Sequence, residues 1–374
     1  MAGIYVHIPF CKRKCIYCDF YSIGAAGMED RYVKALACEL RMRKGELRGE
    51  AVKTLYLGGG TPSLLMPAQI SCIAEALKRE VGIDELEEFT IEVNPDDVSE
   101  DYISALADIG VNRVSMGIQS FVDSELHTIN RRHSATEAEA AVENIRKAGI
   151  KNISIDLIYG LPDQTVETWQ YSVEKAVGLD VQHISCYNLS YEEGTRLYFL
   201  REHGGIQECD EETCIKMYEY LVARLADAGF EHYEVSNFAR QGKYSKHNSS
   251  YWNGSIYLGL GASAHSYDGD VRSYNVANVK QYMSEIESGN LACERETSST
   301  DEKYDEYVMI RLRTKWGIDT RGLKAAFGEK YYNHFMKESQ SYIASGKMSC
   351  DGSCYRLTEA GVMISDMIIR DLIS

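Results

Sequence analysis

The alternation of short β-rich runs with longer amphipathic stretches constrains this chain more than any other feature. Residues 4–8, 54–57, 89–93, 113–116, 153–158 and 183–188 read as six strands. Between them, residues 29–44, 67–79, 99–108, 135–148 and 165–177 are each long enough for a crossover helix. Repeated β/α units of this kind give a parallel sheet. The run 153–158 is apolar except for Asp156, as expected when helices cover one face and polar groups line an interior. The expected fold is α/β, a partial (β/α)6 TIM-like barrel, with a doubly wound sheet as second choice. All five prolines fall before residue 163, and Pro9, Pro62, Pro95 and Pro162 each come just after a proposed strand. A proline cannot donate to a sheet ladder, so each ends its strand. Pro67 suits the first turn of a helix.

In such folds the sites gather at the C-terminal ends of strands, which singles out residues 9–20, 58–62, 92–95, 117–120 and 159–162. With 374 residues the chain exceeds one ordinary domain. We expect a core over 1–230, an irregular Gly- and Tyr-rich segment with short strands over 231–299, and a smaller α+β, helical or winged-helix-like domain over 300–374. That last part carries 11 basic and 11 acidic residues, which removes the usual charge of a DNA-reading wing. The whole chain has a net charge of −16, so a nucleic-acid partner is not expected. The N-terminal residues carry no signal-peptide pattern and no long apolar run occurs, so a cytoplasmic protein without a membrane span is expected. A peripheral membrane contact is compatible with this.

Eleven cysteines is an odd number, and three of them form Cys11-Lys-Arg-Lys-Cys15-Ile-Tyr-Cys18 directly after the first strand. Three thiolates can hold three irons of a [4Fe–4S] cluster and leave the fourth iron open. The three cations Lys12 to Lys14 favour thiolates and an anionic cluster. A zinc site is the competing reading, but it normally wants a fourth Cys or His at paired spacing. Cys209, Cys214, Cys350 and Cys354 read most simply as buried small hydrophobes.

This loop, with Gly58-Gly-Gly-Thr-Pro62, Glu92-Val-Asn-Pro95, Gly117-Ile-Gln-Ser120 and Asp156-Leu-Ile-Tyr-Gly-Leu-Pro162, resembles the radical S-adenosylmethionine (SAM) enzymes in motif, order and spacing. Within them, Tyr5-Val-His-Ile-Pro-Phe-Cys11 and Leu357-Thr-Glu-Ala-Gly361 are similar to the branch that holds oxygen-independent coproporphyrinogen III dehydrogenase and the HemW-type heme chaperones. The resemblance covers nearly the whole chain. It implies that Cys11, Cys15 and Cys18 ligate the cluster and that Gly59, Gly60 and Thr61 contact SAM. Glu92 becomes a hydrogen-bonding partner at the next strand end, with Tyr5 and Tyr17 packed about cluster and cofactor. Gln119, Arg131 and Asp156 match positions that the dehydrogenase branch uses for a second SAM. Amides of the glycine turn would approach the methionine moiety, free of any Cβ.

Where the dehydrogenase has C-x3-C-x2-C-x-C, this chain places Phe20, and it begins only four residues before Tyr5. Both departures favour the HemW side. So does His247-Asn248-Ser-Ser-Tyr251-Trp252, which resembles the H-N-x-x-Y-W motif proposed for heme binding there. An imidazole is a normal axial ligand for heme iron, and aromatics can flank a porphyrin. Without the family, the same His247 reads as a surface or hydrogen-bonded loop histidine; His265 is a second candidate ligand. The resemblance thus implies a heme chaperone carrying a [4Fe–4S] cluster, SAM and heme, which delivers heme to an acceptor protein. The alternative is a coproporphyrinogen dehydrogenase or another radical SAM oxidoreductase. Dehydrogenase activity is not expected, SAM cleavage is left open, and no catalytic residue is assigned.

Overall fold

The structure, a computed structural model, describes residues 2–24 and 27–374. The six expected strands are present as β1 (Ala2–Ile8), β2 (Val52–Gly59), β3 (Glu88–Val93), β4 (Arg113–Gln119), β5 (Asn152–Tyr159) and β6 (His183–Asn188). They pair in parallel and in chain order. Right-handed crossovers between successive neighbours all return on the same side. The helices Glu29–Arg43, Pro67–Val81, Glu100–Ile109, Ala135–Lys147 and Val166–Gly178 therefore cover one face. A doubly wound sheet would reverse its strand order at a switch point; this one does not, and the result is an open barrel.

Period-2 alternation divides each strand between two environments. Ile4, Val6, Ile8, Leu55, Leu57, Ile91, Val114, Met116, Ile153, Ile155 and Leu157 are buried against the helices, where they meet Leu40, Ile70, Leu106, Val142, Ile145 and Trp169. Each such side chain contributes about 1.5–3 kcal/mol on burial. The opposite face is polar: Tyr5, His7, Tyr56, Glu92, Arg113, Ser115, Asp156 and Ser185 alternate with that apolar set. Ser99, Ser134 and Thr165 cap the helices that follow them, each accepting a backbone N–H three residues on.

Residues 231–299, which the sequence suggested were irregular, supply ordered strands to both edges of the sheet. Ile256–Leu260 pairs in parallel with β1, Tyr5 opposite Gly259. His265–Tyr267, Val271–Asn275 and Cys293–Thr297 continue from it antiparallel, while Phe230–Glu234 and Asn237–Arg240 extend the β6 edge. Antiparallel hairpins need no crossover helix, so the β/α rhythm disappears although the sheet continues.

Beyond it, Thr300–Leu312, Ile318–Asp319, Thr320–Phe327, Glu329–Ala344, Met348–Asp351 and Cys354–Leu357 follow in winged-helix order. Their core is separate, built from Val308, Leu312, Ile318, Leu323, Phe335 and Ile368. The four cysteines expected to be buried are not: Cys350 is exposed, and Cys209, Cys214 and Cys354 are partly so. Cys350 and Cys354 lie on a two-stranded hairpin with one solvent face, and Cys209 precedes a helix rather than sitting within one. Among the described residues no helix is long and apolar enough to cross a membrane.

Candidate functional site

The loop after β1 is held from two sides. Asn130 Nδ2 donates to the Lys14 carbonyl (2.9 Å), and the Leu197 amide to that of Ile16 (2.8 Å). Lys12 reaches Asp97, 2.7 Å away beyond β3. These ties bring Cys11, Cys15 and Cys18 to the mouth of the barrel, beside a cavity of about 530 Å³ lined by Cys15 and Cys18 with Lys14 and Arg196. Thr61 Oγ1 donates to Cys11 Sγ (3.5 Å) and Arg131 Nη1 to Cys15 Sγ (3.4 Å). Burial pushes the Cys18 thiol up to about 11, aided by Cys15 and Cys11 and opposed by the Phe20 amide and Lys14. The lysines do not outweigh burial here, so the thiol proton leaves when iron takes its place.

Among the described residues no three His, Cys, Asp or Glu side chains converge tightly enough for a single metal ion. A cubane asks for a wider array, with each thiolate on its own iron. The surroundings fit such a group: Arg131 Nε is buried and has no hydrogen-bond partner, next to the cysteine that its Nη1 already touches. A buried cation with a spare N–H suits an anionic cluster or a carboxylate.

The residues expected around SAM lie along the same rim. Tyr5 stacks on Tyr56 at 6.0 Å. Tyr56 Oη donates to Glu92 (2.7 Å), and so does the Gly59 amide (3.0 Å). Burial raises the Glu92 carboxyl to about 7 and that of Asp156 to about 6. Tyr17 is packed against Cys15, and burial drives its phenol well above the usual range. Gln119 sits in the left-handed region (φ 73°) at a bulge closing β4. A Cβ on Gly117 would meet Gln119 Nε2 at 2.7 Å and Arg131 Nη2 at 3.3 Å, so glycine lets both side chains fold over the strand end. Gly117 pairs with Asp156, which completes the group.

One detail differs from expectation. The Gly59 amide is taken by Glu92 and the Gly60 amide by the Ile8 carbonyl (2.9 Å), so a methionine moiety would have to use other atoms of the turn. The need for glycine has a second cause: at Gly59 (φ 111°) a Cβ would lie 2.5 Å from the His7 ring.

The heme candidates divide between the two ends of the barrel. His265 is exposed and lies at the mouth; burial lowers the basicity of the His7 imidazole, and the nearby His265 adds to that in a minor way. His247 is at the opposite end, on helix Lys246–Asn253, whose first amides donate to the Glu88 carboxylate (2.8 and 3.0 Å). Its ring is fully buried, with Nδ1 2.9 Å from Thr54 Oγ1 and Nε2 2.9 Å from Tyr251 Oη. It stacks on Tyr56 at 5.2 Å, and burial with nearby Arg113 lowers it to about 3. In this arrangement neither nitrogen is free for iron. Asn248 contributes its amide to the Ser245 cap, and Trp252 faces a cavity outside the floor.

Three residues were missed in the sequence. His7 receives the Tyr5 hydroxyl on Nδ1 (3.1 Å), since its Nε2 donates to the Tyr21 carbonyl (3.0 Å). Asn94 links Thr61 to Arg131 (3.4 and 2.7 Å). Arg113 is buried inside the barrel with Nε and Nη1 unpartnered. The signals were there: His7 shares the face of Tyr5 by period 2, Asn94 stands inside a quoted motif, and Arg113 is a cation at the start of an otherwise uncharged strand.

Comparison with known proteins agrees with this geometry. Residues 5–176 match the radical SAM superfamily and residues 299–364 the HemN C-terminal domain. The chain is 34% identical over 372 residues to the heme chaperone HemW of Bacillus subtilis (strain 168), covering 98% of each. It is 38% identical to HemW of Lactococcus lactis, covering 98% of this chain and 96% of the relative. The mouse mitochondrial radical S-adenosyl methionine domain-containing protein 1 is 32% identical, over 100% of this chain and 87% of that one. In fold it superposes on coproporphyrinogen III oxidase (HemN) of Escherichia coli with a TM-score of 0.83, at 24% identity, over 100% of this chain and 90% of the other. The chain belongs to the HemW family of the radical SAM superfamily.

Proposed function

We propose that this chain is a heme chaperone that carries a [4Fe–4S] cluster on Cys11, Cys15 and Cys18, binds SAM, and hands heme to an acceptor protein in the cytoplasm. The observation that carries this reading is the match along 98% of the chain to relatives named heme chaperones. Phe20 supports it against the dehydrogenase: it stands where that branch has a further cysteine, and it is 70% exposed. SAM is held by the rim from Tyr5 through Gly59, Gly60, Thr61 and Glu92 to Gln119, Arg131 and Asp156. The bound cluster would supply an iron for SAM to chelate; this chain's own part is to orient the cofactor and shield it from water. The division into a core over 1–230, a segment over 231–299 with the heme motif, and a C-terminal domain over 300–374 is part of the same reading.

Delivery is tested by mixing the heme-loaded chain with a heme-free b-type cytochrome and following both absorption spectra anaerobically. Heme should leave this chain as the cytochrome gains it, faster than the cytochrome is loaded from albumin-bound hemin. Transfer no faster than that would remove the chaperone part of the reading.

A further inference from the structure

The barrel floor leaves a cavity of about 470 Å³ that the cofactor rim does not use, a volume ordinary for small-molecule sites. It lies between helix Lys246–Asn253, the first residues of β1 and β2, and Arg311, Thr314 and Trp316 of the C-terminal unit. Its walls include the indoles of Trp252 and Trp316 and the ring of Tyr244. Two of its lining residues hold buried polar atoms without a partner, Arg311 Nε and Ser249 Oγ. The nearest acceptor for Arg311 is the Asn253 carbonyl, 3.4 Å from Nη2, and the guanidinium otherwise lies 5.4 Å over the Tyr307 ring. A buried cation donor left unmade is costly, and a ligand carboxylate would satisfy it together with the hydroxyl. Lys246 and Glu87, both at the wall, neutralise one another at 2.6 Å. Flat aromatic walls with one unsatisfied guanidinium suit a planar, carboxylated aromatic ligand.

The lining residues include no His, Cys or Met, and the His247 ring is turned away into the floor, both nitrogens engaged. We propose that a carboxylated porphyrin docks here, held by its ring faces and carboxylates and not by a protein bond to its iron. This rests on the heme reading above and names its site.

The experiment titrates hemin, and separately metal-free protoporphyrin IX, into the full reconstituted chain without oxygen, following absorption and fluorescence. Wild type should bind both with dissociation constants within about threefold of each other. Arg311→Met should weaken both about tenfold, and Trp316→Ala should weaken both as well. Arg311→Lys, which keeps the charge, should recover most of the binding. Trp316 is 40% exposed, so its removal leaves the fold intact, as a thermal melt would register. Hemin binding about a hundredfold tighter than the metal-free ring would overturn the proposal. So would hemin binding unaltered in Arg311→Met and Trp316→Ala, which leaves the heme reading standing with its site elsewhere. A wild type that binds cluster and SAM but no hemin would remove the heme reading and this site together.

Discussion

Glu39→Ala should lower the unfolding free energy in urea by about 3–5 kcal/mol, the largest stability effect expected of any single substitution outside the apolar core. Glu39 and Arg43 are one turn apart on helix Glu29–Arg43, both side chains fully buried, with Arg43 Nη1 2.9 Å from Glu39 Oε1. The carboxylate also accepts from Asn275 Nδ2 (2.6 Å), the Gly261 amide (2.8 Å) and Tyr282 Oη (2.7 Å). Arg43 in turn donates to the Gly259 carbonyl (3.1 Å), Ser266 Oγ (3.0 Å) and Ser273 Oγ (2.8 Å). The pair therefore fastens the late strands to the first helix of the barrel. Removing the acid leaves a guanidinium buried with only Glu46 as counter-charge, 2.8 Å away, and the Gly261 amide and Tyr282 hydroxyl without an acceptor. The double variant Glu39→Leu, Arg43→Met should be less destabilised than Glu39→Ala, because no charge is stranded. A loss under about 1 kcal/mol in Glu39→Ala would contradict this.

Cys18→Ala should lose most of its cluster iron and its visible charge-transfer absorption after anaerobic reconstitution, while Cys38→Ala keeps both. With one of three thiolates gone, two irons of the cubane have no protein ligand. Neither Cys38 nor Cys186 is placed to take over: Cys38 lies on the first helix, where its sulfur accepts from Arg41 (3.0 Å), and Cys186 is buried on the helix-facing side of β6. Full iron in Cys18→Ala would sink the ligand assignment.

Strands and crossover helices were legible because period 2 and period 3.6 are written in local sequence, and the prolines marked where strands stop. Pro9 follows β1 directly, and Pro67 opens its helix, as a ring without an N–H should. The union of Ile256–Leu260 with β1 was not legible. Its partners are some 250 residues apart, and nothing in the run Ile256-Tyr-Leu-Gly-Leu260 names them. The motifs drew attention to the strand ends, and the structure places Gly59, Glu92 and Gln119 at or near them, with Tyr5 and Asp156 further back within their strands. His247 shows the limit of the same approach: the motif groups it with Tyr251 and Trp252, but the helix turns the imidazole and Tyr251 into the floor and Trp252 outward. Residues four apart share a helix face while the next one does not, so periodicity could have separated Trp252 from the other two.

The most direct test of the account offers hemin and coproporphyrinogen III to one anaerobic preparation holding cluster, SAM and reductant, following heme absorption and porphyrin products together. The chaperone reading predicts heme retained by the chain and coproporphyrinogen III left unchanged; protoporphyrinogen IX forming while hemin stays unbound would contradict it.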